Sequence, residues 1–251
     1  MKPTFLSDRP LLTVMIHEET PEDAIRVIRN ANCLGADAYG LSACFLNPEY
    51  QNEEVYQRLY KEMRGKPVYV TNYRGMKNAG KTDEELAEGL KVMVQSGGTL
   101  PDVLGDLYCR HPEEMTDDPE AIARQMALID ELHGMGAEVL MSAHLHKFVP
   151  AERILEIAFE QRRRGADVVK IVSHANDMAE EIENLRITDL LKRELGGPFL
   201  FLSGGECSIH RRLGLKLGCC MSLCVYEHDV FSASLQPLLT TMKTIRDGID
   251  F

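Results

Sequence analysis

Apolar residues in this chain come in short runs of strand length. Between the runs the chain turns polar, with apolar positions at helical spacing. The first run is Leu11–Ile16. Thr20-Pro21-Glu22-Asp23 then reads as a helix start: a capping Thr, Pro in the first turn, and acids near the positive end of the helix dipole. That helix reaches about Leu34 and stops at Gly35. The pattern repeats, with strands at 37–44, 67–72 and 103–109 and helices at 52–63, 82–95 and 119–134. Two further runs, 139–141 and 168–172, flank a helix rich in Glu and Arg, which makes one βαβ unit. A helix over 176–195 ends at Gly196-Gly197-Pro198. The chain closes with strands at 198–202 and 219–225, a short helix at 208–216 and a last helix at 235–247.

Eight strands alternate with eight helices through short connections, and no low-complexity tract intervenes. The pattern predicts the α/β class and a (β/α)8 TIM barrel, one domain over residues 1–251. A doubly wound open sheet would bring a Gly-rich phosphate loop after the first strand, whereas His17-Glu18-Glu19 follows it here.

Composition narrows the functions open to such a barrel. The formal net charge of −11 argues against a nucleic-acid or anionic-membrane surface. A few arginines can still build a positive pocket for a small anion. The 7 cysteines form no CxxC pair, and Cys219, Cys220 and Cys224 sit in one apolar run as core thiols. No signal peptide or membrane-length apolar span is evident, so a reducing cytoplasm is expected.

Lys170 lies inside the apolar run 168–172, and long cations are rarely buried without a purpose. Burial favours the free amine, the form that attacks a ketone to give a Schiff base. His144, after the neighbouring strand, offers a proton acceptor and donor near neutral pH. Active sites of these barrels sit at the C-terminal strand ends. That rule also keeps Arg74, His174, Ser203, Glu206 and Arg212. Each has a plainer reading: an ion pair for the lysine and arginines, a backbone bond for a histidine. A metal on His144, His146 and His174 is disfavoured, because alternate strand residues face opposite ways and no acid lies nearby on these strands.

These segments resemble type I 3-dehydroquinate dehydratase, a carbon–oxygen lyase of the shikimate pathway. VLMSAHLHKFVP is similar to the family's stretch around its catalytic histidine, which puts that role on His144. GADVVKIV is similar to the segment carrying its Schiff-base lysine, which puts that role on Lys170. SGGECSIHRRLG resembles the seventh-strand loop, with Arg212 where the family binds the substrate carboxylate. SASLQ resembles the closing loop and gives binding roles to Ser232 and Gln236, and YVTNYRG places the third-strand arginine at Arg74. The resemblance implies a small anionic keto-acid substrate, no metal or organic cofactor, and a homodimer.

Departures mark a divergent member. Gly40 and Ser42 stand where the family carries Glu and Arg, Asn78 where it has a loop glutamate, and Tyr108 where it has an acid after the fourth strand. Ser234-Leu235 replaces the usual Pro-Gly. The expected activity is dehydration of 3-dehydroquinate or a related carboxylated β-hydroxy ketone. Two alternatives stay open: a class I aldolase acting on a keto acid, and a non-catalytic metabolite-binding barrel.

Overall fold

The computed structural model describes residues 3–205, 209–228 and 235–249. Eight parallel strands form a nearly closed barrel: β1 (Leu11–Ile16), β2 (Ala38–Ser42), β3 (Val68–Thr71), β4 (Leu100–Leu104), β5 (Leu140–His144), β6 (Val168–Ala175), β7 (Phe199–Gly205) and β8 (Met221–Cys224). Helices alternate with them: α1 (Pro21–Leu34), α2 (Glu53–Glu62), α3 (Asp83–Gln95), α4 (Pro119–Gly134), α5 (Ala151–Arg163), α6 (Met178–Glu194), α7 (His210–Leu217) and α8 (Leu239–Gly248). The ladder runs β7-β6-β5-β4-β3-β2-β1-β8. At its seam the Cys220 N–H donates to the Phe199 carbonyl (2.9 Å) and draws the two ends together.

Local chemistry explains the punctuation. The Thr20 side chain accepts from the Asp23 N–H to open α1, and Gly35 closes it at φ 83°, a left-handed conformation that glycine adopts without penalty. Thr82 and Glu85 form a reciprocal capping box on α3. Strands covered on both faces need apolar residues throughout, which is why they read as runs.

Two strands differ from expectation in ways that matter for chemistry. The fourth begins at Leu100 and ends at Leu104, and residues 105–109 turn. Pro101 hid it, because proline cannot donate to a ladder; the β3–β4 pairing is accordingly short, Tyr69↔Leu100 and Val70↔Pro101. Asp102 therefore lies inside the barrel. The fifth strand runs on to His144, so the histidine is its last residue. In register, Ser142 pairs with Lys170 and Lys170 with Leu200. These side chains alternate with those facing the helices and point into the lumen.

Candidate active site

The strand lysine points inward. Its side chain is 4% exposed, and it faces Asp102, which is completely buried. Lys170 Nζ donates to Tyr69 Oη (2.8 Å), Tyr73 Oη (2.8 Å) and Asp102 Oδ2 (3.2 Å). Asp102 also accepts from Ser142 Oγ (2.5 Å) and from both phenols. Every group in this cluster is satisfied by another, the condition for holding charge in a low-dielectric interior. Burial, followed by the adjacent Asp102 charge, pushes both phenols well above their ordinary range, so they remain neutral hydroxyls. From α5, Gln161 grips the backbone of Lys170, bonding its N–H and its carbonyl (both 3.1 Å).

His144 is oriented by a carboxylate that the sequence did not flag. Glu114 Oε2 accepts from the His144 backbone N–H (2.9 Å) and lies 2.6 Å from ring Nδ1. A ring that gives its Nδ1 proton to a carboxylate keeps its lone pair on Nε2. Burial alone would raise the Glu114 carboxyl. The bond from the His144 ring, the His144 charge and its backbone N–H, and the charge of Lys170 outweigh burial and hold it below its ordinary value.

The loop carrying Glu114 is pinned on both flanks. Arg164, nearly fully buried, donates to the carbonyls of Gly105 (3.0 Å) and Thr116 (2.6 Å). Arg153 holds Glu113 through two bonds (3.0 and 2.9 Å). The loop packs so closely that a Cβ on Gly105 would lie 2.2 Å from Met115 Sδ and 2.5 Å from the Glu114 carbonyl. Glu114 itself has φ 47°. Such a conformation costs a non-glycine residue energy and persists where its surroundings hold it.

Glu114→Gln is expected to lower turnover about 100-fold, because the amide cannot stabilise an imidazolium. The depressed carboxyl adds stability that is fully present above 4.5, its ordinary value, and fades as pH falls through the folded value. Urea midpoints followed down the acid limb should therefore fall more steeply for the native chain than for Glu114→Gln. Parallel curves would remove the coupling.

His144 and Lys170 open onto one cavity of about 200 Å³ at the C-terminal strand ends. Gln236 lines it too, and its Oε1 is buried without a hydrogen-bond partner among the described residues. The guanidinium in the wall is Arg211, one residue before the Arg212 assigned from the sequence; Arg212 is not among the lining residues. Adjacent helix residues project about 100° apart, so only one of a pair at the start of α7 can face the lumen. Arg211 Nε donates to the Ser203 carbonyl (2.8 Å), and the charge of Glu181 acts on it from α6. Burial draws it down to about 10, which leaves it charged at neutral pH.

Arg74, expected from the sequence to bind substrate, does not line this cavity either. Arg74 turns from the cavity to a fork on Asp83 (2.8 and 2.6 Å) and a bond to Asp106 (2.7 Å), tying the turn after β3 to the turn after β4. Asn78 also faces away, donating to Asn72 Oδ1 (2.8 Å) and to the Tyr73 carbonyl (2.9 Å). Ser203 points to α6, where it meets Glu181 and Asn184. His174 does not line the cavity. Ser232 and Glu206 lie outside the described residues. On the second strand, a Cβ at Gly40 would sit 2.2 Å from Met15 Sδ, so Met15 fills the space where a longer side chain would project. Ser42 Oγ accepts from Thr71 Oγ1 (3.0 Å) beside the cavity.

Fold and cavity together define a (β/α)8 barrel with a lysine-centred site at its C-terminal mouth. The chain belongs to the type I 3-dehydroquinase family, whose family model matches residues 12–249. Among solved structures, it resembles 3-dehydroquinate dehydratase from Geobacillus kaustophilus HTA426, with a TM-score of 0.81 at 17% identity over 96% of this chain and 91% of that one. The enzyme from Clostridium difficile, solved with covalently modified comenic acid, gives 0.80 at 18% over 96% and 93%. That from Enterococcus faecalis gives 0.77 at 18% over 98% and 96%. At these identities the superpositions establish the shared barrel. Among curated proteins, none matches the chain by sequence.

Proposed function

We propose that this protein is a Schiff-base-forming dehydratase that removes water from 3-dehydroquinate or a closely related carboxylated β-hydroxy ketone. The observation that carries the reading is the shared cavity: a buried amine and a carboxylate-oriented imidazole line the same 200 Å³ space with an arginine. Lys170 attacks the ketone and water leaves, giving an iminium that acidifies the adjacent C–H by accepting its electrons. His144 Nε2 takes that proton, and the imidazolium, stabilised by Glu114, returns it to the departing hydroxyl. Hydrolysis then frees the conjugated enone and restores the amine.

Arg211 is the residue for the substrate carboxylate, and Gln236 offers its free carbonyl oxygen to a substrate hydroxyl. Ser232 keeps the closing-loop role that the resemblance implies. No metal or organic cofactor enters the scheme. Arg211→Ala should raise KM about 10- to 100-fold, the worth of one charged hydrogen bond, with the larger share of the effect in KM. Arg212→Ala should change KM less than the Arg211 variant does. The reverse ranking would return the carboxylate to Arg212.

The direct test is incubation with 3-dehydroquinate under two readouts. Water loss gives an enone absorbing in the near ultraviolet, and borohydride should fix the substrate skeleton on Lys170. Two carbonyl fragments in place of the enone would make the protein an aldolase. Binding without label or turnover would make it a metabolite-binding barrel.

A further inference from the structure

We propose that Tyr73 is a catalytic proton carrier for imine formation, passing protons from the Lys170 nitrogen to the substrate's carbonyl oxygen with Asp102 as their temporary holder. The inference rests on the Schiff-base reading above and adds a proton route through groups that bond the amine directly. Among the described residues no hydrogen bond joins His144 to the amine, and the His144 ring is committed to Glu114 through Nδ1. Tyr73 reaches both sides. Its hydroxyl accepts from Lys170 Nζ at 2.8 Å and donates to Asp102 Oδ2, and its ring meets His144 edge to face at 5.4 Å.

The proton balance requires a route from the nitrogen to the carbonyl oxygen. An ammonium brings three protons to the reaction and the iminium nitrogen keeps one. The C–N bond forms, the C=O bond breaks, and the two surplus protons must leave on the oxygen as water. The charge is +1 on nitrogen at the start and at the end, so no outside acid or base is consumed. In the first half-step Nζ gives a proton to Tyr73 Oη while the Tyr73 proton moves to Asp102, leaving a neutral amine beside an intact phenol. The amine attacks, and the new alkoxide takes the Tyr73 proton as Asp102 returns its own to the phenol. The second nitrogen proton follows the same route and departs with the hydroxyl.

Tyr69 makes the same bond to the amine at 2.8 Å, also donates to Asp102 and borders the same cavity, yet it is 0% exposed. Tyr73 is only half-buried and lines the cavity beside His144, so its hydroxyl can reach an oxygen on the carbon that bonds to Nζ. A raised phenol suits the task, since it must carry a proton without resting as a phenolate.

The test is rapid-quench borohydride trapping with 3-dehydroquinate, reading the mass added to Lys170 against time. Tyr73→Phe keeps the ring against His144 and should slow labelling about 100-fold while reaching full yield at long times. Tyr69→Phe likewise loses one bond to Lys170 and one to Asp102, and should slow it only a few-fold. A fluorotyrosine at position 73, similar in shape and more acidic, should change the labelling rate without altering the melting temperature. Washout of ¹⁸O from the ketone should fall in step with labelling in Tyr73→Phe. Native labelling with Tyr73→Phe labelling at the same rate overturns the role of Tyr73 alone. No label on native Lys170 overturns the Schiff-base reading and this role with it.

Discussion

Lys170→Ala is expected to end covalent capture of substrate and to lower turnover by at least about 10⁴-fold, the scale seen when a nucleophile is removed from machinery that works as a unit. No neighbour among the described residues can replace it. Tyr69 and Tyr73 are neutral phenols, and Arg211, in the same cavity, is charged and cannot form an imine. The substitution also acts on the fold. Asp102 would stay fully buried after losing its cation, and breaking a buried pair from one side costs about 3–5 kcal/mol. Three hydroxyls would still donate to it, from Ser142, Tyr69 and Tyr73, so the lower end of that range is expected. Adding Asp102→Asn removes the stranded charge and should recover part of the loss in urea unfolding at neutral pH. Activity should remain absent in the double variant. Turnover surviving in Lys170→Ala would refute the nucleophile outright.

The second large effect separates the two halves of the reaction. His144→Ala should lower enone formation about 10²- to 10⁴-fold, the usual worth of a general base that becomes the acid. Borohydride should still label Lys170 in this variant to full yield, because imine formation runs through the amine, Tyr73 and Asp102. The intermediate should therefore accumulate, visible as adduct at early times with no near-ultraviolet product. The structural cost should be small: His144 is partly exposed, and Glu114 keeps its bond to the backbone N–H at position 144. Loss of labelling together with loss of product would show that the histidine serves the amine and not the α-carbon.

These expectations lean on residues of unequal legibility. Lys170 stood out because a cation broke an apolar run, and His144 because it followed a strand on the adjoining βαβ arm. Asp102 was hidden by its neighbour: Pro101 reads as a strand breaker, so the acid seemed to lie before the strand and not within it. Tyr69 and Tyr73 shared a face at even spacing, but aromatic residues at strand spacing are ordinary core. Glu114 had no signal in Glu113-Glu114-Met115, since its partner sits thirty residues on and meets it only because the loop folds back over Gly105. Asn78 stands where the family has a loop glutamate, and it turns to Asn72 and the Tyr73 carbonyl, not to the histidine. In the folded chain, an acid arriving from the turn after the fourth strand supports it.

The sequence by itself determined the architecture, since runs that must be buried on both faces and helices amphipathic between them admit few arrangements of this length. It also singled out Lys170 and His144, because a strand lysine and a strand-end histidine are each anomalous within a local window, and the two line one cavity. The tertiary structure alone decided which groups surround that pair. Asp102, Tyr73 and Glu114 reach it from other strands and turns, and the rotation of one short helix puts Arg211, not Arg212, in the cavity wall. Local pattern fixes which residues form an element, but side-chain partnership depends on register around the closed barrel and on loop paths set by long-range packing.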